Sequence, residues 1–432
     1  MEIKRDYYLN KLIESKWNGY IKVITGLRRC GKSYLLNTLF KSHLLRNRVR
    51  ESSIIEIALD SFAWEELRDP RELGAYIQSR VKSRRTRYYA LIDEIQMCEE
   101  VPSKVEGSKS KITFYDVLNG LMRIPNLDIY VTGSNSRMLS DDVATHFRDR
   151  GEIIHLYPLT FAEYLPVSGL NEYQAWDEFL VYGGMPEAVL RPTPVAKQEY
   201  LSGLFNTLYL KDLIEHYHLK DELLLGYLVD LLMSNVGSLT NISKIADTLR
   251  STQNLNPEAH TIQSYITALM QAYLIEKAER YDVRGRKYLS YPSKYYAADL
   301  GLRNARINYR QTERTHLMEN VIYNELLARG AKVDVGVVDI VSSSNDGRTK
   351  TQHEIDFVVN LGMEKVYIQS ALNIDDATKR FQETLPLRKT GDSFRKLVVV
   401  NGNQPFYTDH DGISYIGVIS FLLDKSLLSK FA

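Results

Sequence analysis

Tyr20-Ile21-Lys22-Val23-Ile24-Thr25-Gly26-Leu27-Arg28-Arg29-Cys30-Gly31-Lys32-Ser33 is the stretch whose reading decides the fold. A β-branched run ends at Gly26, four residues intervene, and Gly31-Lys32-Ser33 follows. The spacing G-x-x-x-x-G-K-S is that of a phosphate-binding P-loop. The context agrees. The run before the loop reads as a strand, and Tyr34-Leu35-Leu36-Asn37-Thr38-Leu39-Phe40 behind it reads as a helix. In such a loop the backbone N–H groups of Gly26, Leu27, Arg28, Arg29, Cys30, Gly31, Lys32 and Ser33 wrap the phosphates, and the next helix points its positive end at them. Lys32 would reach the outer phosphates and the Ser33 hydroxyl would ligate Mg²⁺. A glycine-rich turn that happens to carry a lysine is the bland alternative, and it leaves the strand, loop and helix order unexplained.

Moving outward, 432 residues predict two to four domains. Hydrophobic residues at 44% and charged residues at 25% suit an ordinary globular chain. The net charge of +1 gives no global nucleic-acid signature, although a local basic patch stays open. Two cysteines, Cys30 and Cys98, are too few and too far apart for a disulfide framework, and Cys30 reads as a small filler within the loop. No run of about 18 apolar residues is present, so no membrane span is expected. The charged start, Met1 to Asp6, has no apolar segment of a secretory signal, and a cytoplasmic location is expected.

Downstream, Tyr88-Tyr89-Ala90-Leu91-Ile92-Asp93-Glu94 is an apolar strand ending in two acids, about 60 residues after the P-loop. This is the Walker B pattern. Asp93 would hold Mg²⁺ through water, and Glu94 would orient and polarise the attacking water. The basic run that precedes it, Arg80, Lys82, Arg84, Arg85 and Arg87, reads as a solvated helix end before it reads as a binding patch. The next strand, Leu127 to Thr132, ends in Gly133-Ser134-Asn135. Ser134 or Asn135 could sense the γ-phosphate, although such a turn needs no function. Arg148 and Arg150 follow. They could complete a neighbouring subunit's site in a homo-oligomer, or pair with Asp149.

Five stretches in order carry a resemblance across the chain: Gly26 to Ser33, Leu91 to Gln96, Thr132 to Leu139, Tyr157 to Leu165 and Tyr182 to Glu187. Together they resemble the prokaryotic ATPases of the AAA+ superfamily that carry a C-terminal domain of unknown function. The resemblance implies ATP as the nucleotide. It also implies an α/β three-layer core of the ASCE type, with the sensor strand between the P-loop and Walker B strands. It names no substrate and no protein partner. Tyr182-Gly183-Gly184-Met185-Pro186-Glu187 reads as a helix-to-helix break, and its segment could form a lid on the nucleotide.

The predicted organisation is an ATPase core over 1–165, a helical lid or linker over 166–221, a winged-helix-like module over 222–300 and a restriction-endonuclease-like domain over 301–432. In the third segment three helices precede two strands that flank Asp282-Val283-Arg284-Gly285-Arg286. If it binds DNA, Thr261, Gln263 and Ser264 begin the reading helix, and Arg284, Arg286 and Lys287 touch phosphates. A protein-packing role is the other reading. In the fourth segment an acid on a helix, Glu319, and an acid on a strand, Asp356, resemble the PD-(D/E)xK nuclease core, where they would bind Mg²⁺ with a third oxygen ligand. The third motif departs from it: Gln369-Ser370-Ala371 has an amide for the acid and alanine for the lysine, so a weak or dead nuclease is expected.

Overall fold

The computed structural model describes residues 3–104, 110–133, 150–311, 313–344 and 347–427. The chain divides into two compact units, with the division between Tyr157 and Pro158. Residues 158–165 fold with the second unit, where the Leu159 N–H donates to the Gly184 carbonyl at 2.8 Å. Thr160 and Glu163 form a capping box that starts the helix Phe161–Ser168.

In the first unit, β1 (Ile21–Thr25), β2 (Ile54–Ala58), β3 (Tyr88–Asp93), β4 (Leu127–Thr132) and β5 (Gly151–His155) form one parallel sheet in the order β2-β3-β4-β1-β5. The strand after Walker B thus lies between the P-loop and Walker B strands, as the resemblance implies. Parallel strands are covered on both faces, so they read as continuous apolar runs. Every residue of β1, β3 and β4 is buried. The polar exceptions are matched. Lys22 in β1 pairs with Asp128 in β4, which also accepts from the Tyr130 hydroxyl at 2.8 Å and the Trp17 N–H at 3.1 Å. A buried charge pair persists only when its remaining hydrogen-bonding capacity is met in this way.

The parallel arrangement sends the C-terminal ends of all five strands to one edge. The P-loop, Asp93, Thr132 and His155 lie there for that reason. Among the described residues, the helices between β1 and β4 return the chain to the opposite edge.

The second unit holds a sheet of nine described strands: β6 (Leu239–Thr240), β7 (Ile275–Asp282), β8 (Lys287–Ala297), β9 (Lys332–Ser344), β10 (Gly347–Leu361), β11 (Glu364–Ala371), β12 (Arg395–Val400), β13 (Tyr407–Thr408) and β14 (Ile413–Gly417). Their order is β13-β14-β12-β11-β10-β9-β7-β8-β6. The helix Arg314–Ala328 packs against β8 to β11, and Ala377–Arg388 against β10 and β11. β7 pairs in parallel with β9, Arg280 opposite Val335 and Asp282 opposite Val337. The sheet therefore runs unbroken across residue 300, because an unpaired strand edge leaves a row of N–H and C=O groups unsatisfied and β9 covers that of β7. The segment 238–249, which reads as one helix, instead gives β6, an Asn241 cap that accepts from the Ser243 N–H, and the helix Ile242–Gln253.

Candidate nucleotide site

The P-loop leaves β1 in a conformation that glycine makes possible. Gly26 has φ of +139°, and a Cβ there would lie 2.2 Å from the Leu156 carbonyl oxygen. Gly31 has φ of +102° and the intervening Arg29 +62°. The loop is braced from behind. The buried Arg5 guanidinium donates to the Tyr157 carbonyl at 2.7 Å and the Cys30 carbonyl at 3.4 Å. The buried Cys30 thiol donates to the Leu156 carbonyl at 3.4 Å, and burial pushes its pKa up, away from the thiolate. Cys30 is a packing residue in this setting. Lys32 is buried, and its ammonium donates to the carbonyls of Gly26 at 3.1 Å and Leu27 at 3.0 Å. Its charge thus lies in the concavity of the loop, where phosphate oxygens could replace the carbonyls.

Opposite the loop, β3 delivers Asp93 and Glu94. Asp93 is buried and hydrogen-bonds the side chains of Thr132 and Ser33. Burial raises its carboxyl pKa, and these two hydroxyls pull it back down. Asn37, one turn into the P-loop helix, approaches Asp93 at 3.5 Å, and its buried Oδ1 has no hydrogen-bond partner among the described residues. A buried carboxylate beside a serine hydroxyl and an unmatched amide oxygen is a donor set that fits a hard cation with oxygen ligands. Glu94 breaks the strand with φ of +53°, its N–H donates to Thr132 Oγ1 at 3.0 Å, and its carboxylate accepts from Gln96.

Thr132 is the residue that sequence reading passed over. It ends β4 inside a buried run, so its hydroxyl reads as strand-former until the neighbouring strand is known. Ser134, Asn135 and Arg148 lie outside the described residues. Arg150 is described and is exposed. It precedes β5, where its carbonyl accepts from the Ile21 N–H at 2.9 Å, at the sheet edge opposite the P-loop. The length of β1, about 15 Å, separates it from the loop of its own chain.

His155, at the end of β5, completes the described surroundings. Thr25 Oγ1 lies 3.2 Å from its Nδ1, and burial followed by the Lys32 charge lowers its pKa to about 4.

In the second unit the Tyr182-Gly183-Gly184 motif has a packing cause. The Gly184 N–H donates to the buried Asp299 at 2.7 Å, and Asp299 also caps the helix Leu300–Arg306 through the Leu302 N–H at 3.0 Å. A Cβ on Gly184 would lie 2.1 Å from the Leu159 carbonyl oxygen, and one on Gly183 2.4 Å from Asp299.

The acids read as metal ligands lie among other polar partners. Lys294 of β8 donates to Glu319 at 2.8 Å and lies 2.5 Å from Glu354, and the Tyr296 hydroxyl donates to Glu319 at 2.7 Å. Asp356 accepts from the Ser370 N–H at 2.8 Å, and Gln369 bonds Glu383 at 3.3 Å. Among the described residues no group of three or more His, Cys, Asp or Glu side chains is arranged to hold a metal ion. On the DNA reading, Ser264 is exposed and Thr261 and Gln263 are partly so, while Arg286 and Lys287 are exposed at the tip between β7 and β8. Arg284 is not free for phosphates. It donates to the carbonyls of Lys389 at 2.9 Å and Asp339 at 3.4 Å.

A glycine-bent loop with a buried lysine, facing a strand-end Asp-Glu pair across a five-stranded parallel sheet, defines the P-loop NTPase class. An AAA domain profile matches residues 18–165, and two domains of unknown function, DUF8612 and DUF4143, match 173–313 and 314–421. The chain is 34% identical over 426 residues to an uncharacterized protein of Haemophilus influenzae, covering 98% of each. It is 26% identical over 394 residues to uncharacterized protein MJ1544 of Methanocaldococcus jannaschii, covering 87% of this chain and 79% of that one. A solved structure, the Walker-type ATPase PABY2304 of Pyrococcus abyssi, is similar at 18% identity and a TM-score of 0.48, covering 71% of this chain and 96% of that chain. The chain belongs to the prokaryotic AAA-domain P-loop ATPase family whose C-terminal domains are of unknown function. No described helix is long and apolar enough to cross a membrane.

Proposed function

We propose that the chain binds ATP with Mg²⁺ at the P-loop, hydrolyses it, and uses the nucleotide state to switch its C-terminal unit. The observation that carries this reading is the hydrogen-bonded set Ser33, Asp93 and Thr132 beside Lys32. The loop N–H groups and Lys32 would hold the phosphates. Ser33 and Asp93 would hold Mg²⁺, which when bound offsets phosphate charge. Glu94, positioned by its own N–H on Thr132, would orient the attacking water and accept its proton.

Two variants test it. Lys32→Ala should abolish binding of a fluorescent ATP analogue. Glu94→Gln should keep binding and lower turnover by about 10²–10⁴-fold. Retained binding in the first, or normal turnover in the second, sinks the site.

The C-terminal unit favours the switch over nuclease chemistry. The order helix, β9-β10-β11, helix, β12 supports a nuclease-like ancestry. An ammonium, however, lies against Glu319 where a metal would be needed. The helices Glu222–Ser234, Ile242–Gln253 and Ala259–Gln271, with β6, β8 and β7, support a winged-helix reading. Its wing strand is built into a larger sheet, which suits packing or switching more than groove insertion. ATPase rate with and without duplex DNA separates the two uses: strong stimulation favours action on DNA, and none favours the switch.

A further inference from the structure

The edge of the first-unit sheet opposite the P-loop gathers positive charge from segments far apart in sequence. The loop before β1 has Lys16, the helix Lys41–Arg46 ends in Arg46, and the segment between it and β2 has Arg48 and Arg50. The segment before β3 supplies Arg80, Lys82, Arg84, Arg85 and Arg87. Arg123 precedes β4 and Arg150 precedes β5. All but the part-exposed Lys16 are exposed. The described acids at this edge are fewer: Glu14, which ends the first helix, Glu51, which has Lys41 at 3.9 Å, and Glu152, which accepts from the Ser15 hydroxyl and the Asn18 amide. No exposed cation of this group is paired with a carboxylate among the described residues. Chance surface composition would mix the signs, because the whole chain has a net charge of only +1.

The loops are also presented for contact. The Asn126 amide donates to the carbonyls of Ser83 at 2.9 Å and Thr86 at 2.7 Å, which fixes the turn carrying Arg84 and Arg85. Tyr20 is 44% exposed on the same edge, and the Arg87 guanidinium lies 4.9 Å from the centre of the Trp17 ring. Five parallel strands make an edge about 19 Å wide, which matches roughly five or six successive phosphates of one nucleic-acid strand.

We propose that this edge binds a nucleic-acid strand through its phosphates, on the side of the ATPase unit away from the nucleotide. Unpaired arginines match phosphate geometry better than any other side chain, and an exposed aromatic beside them offers a base a stacking face. This inference does not depend on the winged-helix reading, which concerns other residues.

The test is fluorescence anisotropy of the full chain with labelled oligonucleotides of about 30 nucleotides, single-stranded and duplex, between about 50 and 200 mM salt. Wild type should bind with a steep salt dependence. Arg84→Ala/Arg85→Ala/Arg87→Ala should weaken binding at least about 10-fold and reduce the log–log salt slope by roughly 2–3. ATP binding, at the far edge, should be unchanged and serves as the folding control. Ser264→Glu/Thr267→Glu, on the helix Ala259–Gln271, should leave this binding within about 2-fold. The proposal is overturned if wild type does not bind. It also fails if the arginine variant binds as wild type does, or if only the helix variant loses binding. Binding to phosphatidylserine vesicles without binding to oligonucleotides would overturn it in favour of a membrane surface.

Discussion

Lys294 on β8 and Glu319 on the helix Arg314–Ala328 meet at 2.8 Å in the interior of the second unit, both almost fully buried. Glu354 lies against the same cation and Asp356 is close enough to feel its charge, and Lys294 keeps its proton more firmly than a free lysine because the three acids together outweigh the cost of burial. Burial and the Glu319 charge hold the Asp356 carboxyl well above the usual range. The ammonium therefore neutralises acids that the sequence presents as metal ligands. Removing it strands them. Lys294→Met should cost about 3–5 kcal/mol in urea unfolding, and adding Glu319→Gln should recover part of the loss. A single-variant loss below about 1 kcal/mol would mean that the acids are neutral without Lys294.

Thr132 links both Walker B acids, through the Asp93 carboxylate and the Glu94 N–H. Thr132→Val keeps the shape and removes the hydroxyl. The Mg²⁺ concentration needed for half-maximal ATPase should rise about 10–100-fold, as it does when a group supporting a metal ligand is lost. Binding of the nucleotide without metal should change little. An unchanged Mg²⁺ requirement would reduce Thr132 to a strand residue.

Asp299 accepts from Gly184 and Leu302, so one carboxylate joins the glycine motif to a helix start. Asp299→Ala removes the cap and leaves the Gly184 N–H buried without an acceptor, at a cost of about 2–4 kcal/mol. Gly184→Ala drives a methyl against the Leu159 carbonyl and should be at least as damaging. Thermal unfolding reads both, and near-normal stability in either variant would show that the motif serves something other than this junction.

These residues also mark how far the sequence was legible. The P-loop and Asp93-Glu94 were readable because phosphate chemistry demands particular residues at fixed spacing. Strands β1, β3 and β4 were readable because burial on both faces makes them apolar throughout. Lys294 was not, because its partners lie 25 and 60 residues away and only the pairing of β8 within the sheet unites them. The glycines of 183–184 were readable as a break but not as a docking surface for Asp299, since that contact spans 115 residues. The helix Ala377–Arg388 carries too few apolar residues, and a proline at 386, for periodicity to reveal it. The basic run at 80–87 reads as a solvated helix end in the sequence, and only the topology places it on one sheet edge with Arg46, Arg48, Arg50, Arg123 and Arg150.

His155 sets the acid side of stability in the first unit. Burial and the Lys32 charge lower its pKa to about 4, against about 6.5 in an unfolded chain. As pH falls, the unfolded chain takes up the proton first, so the neutral histidine's contribution is complete above about pH 6.5 and is eroded from there down to about pH 4. Over the whole window the loss amounts to roughly 3 kcal/mol, and to about 2 kcal/mol by pH 5. His155→Gln, which can still bond Thr25 and cannot be protonated, should escape this loss. Urea unfolding at about pH 7.5 and pH 5 should therefore show wild type losing about 2 kcal/mol more than the variant. Equal losses would mean that His155 is solvated in the folded chain and that the P-loop edge is open to water beside it.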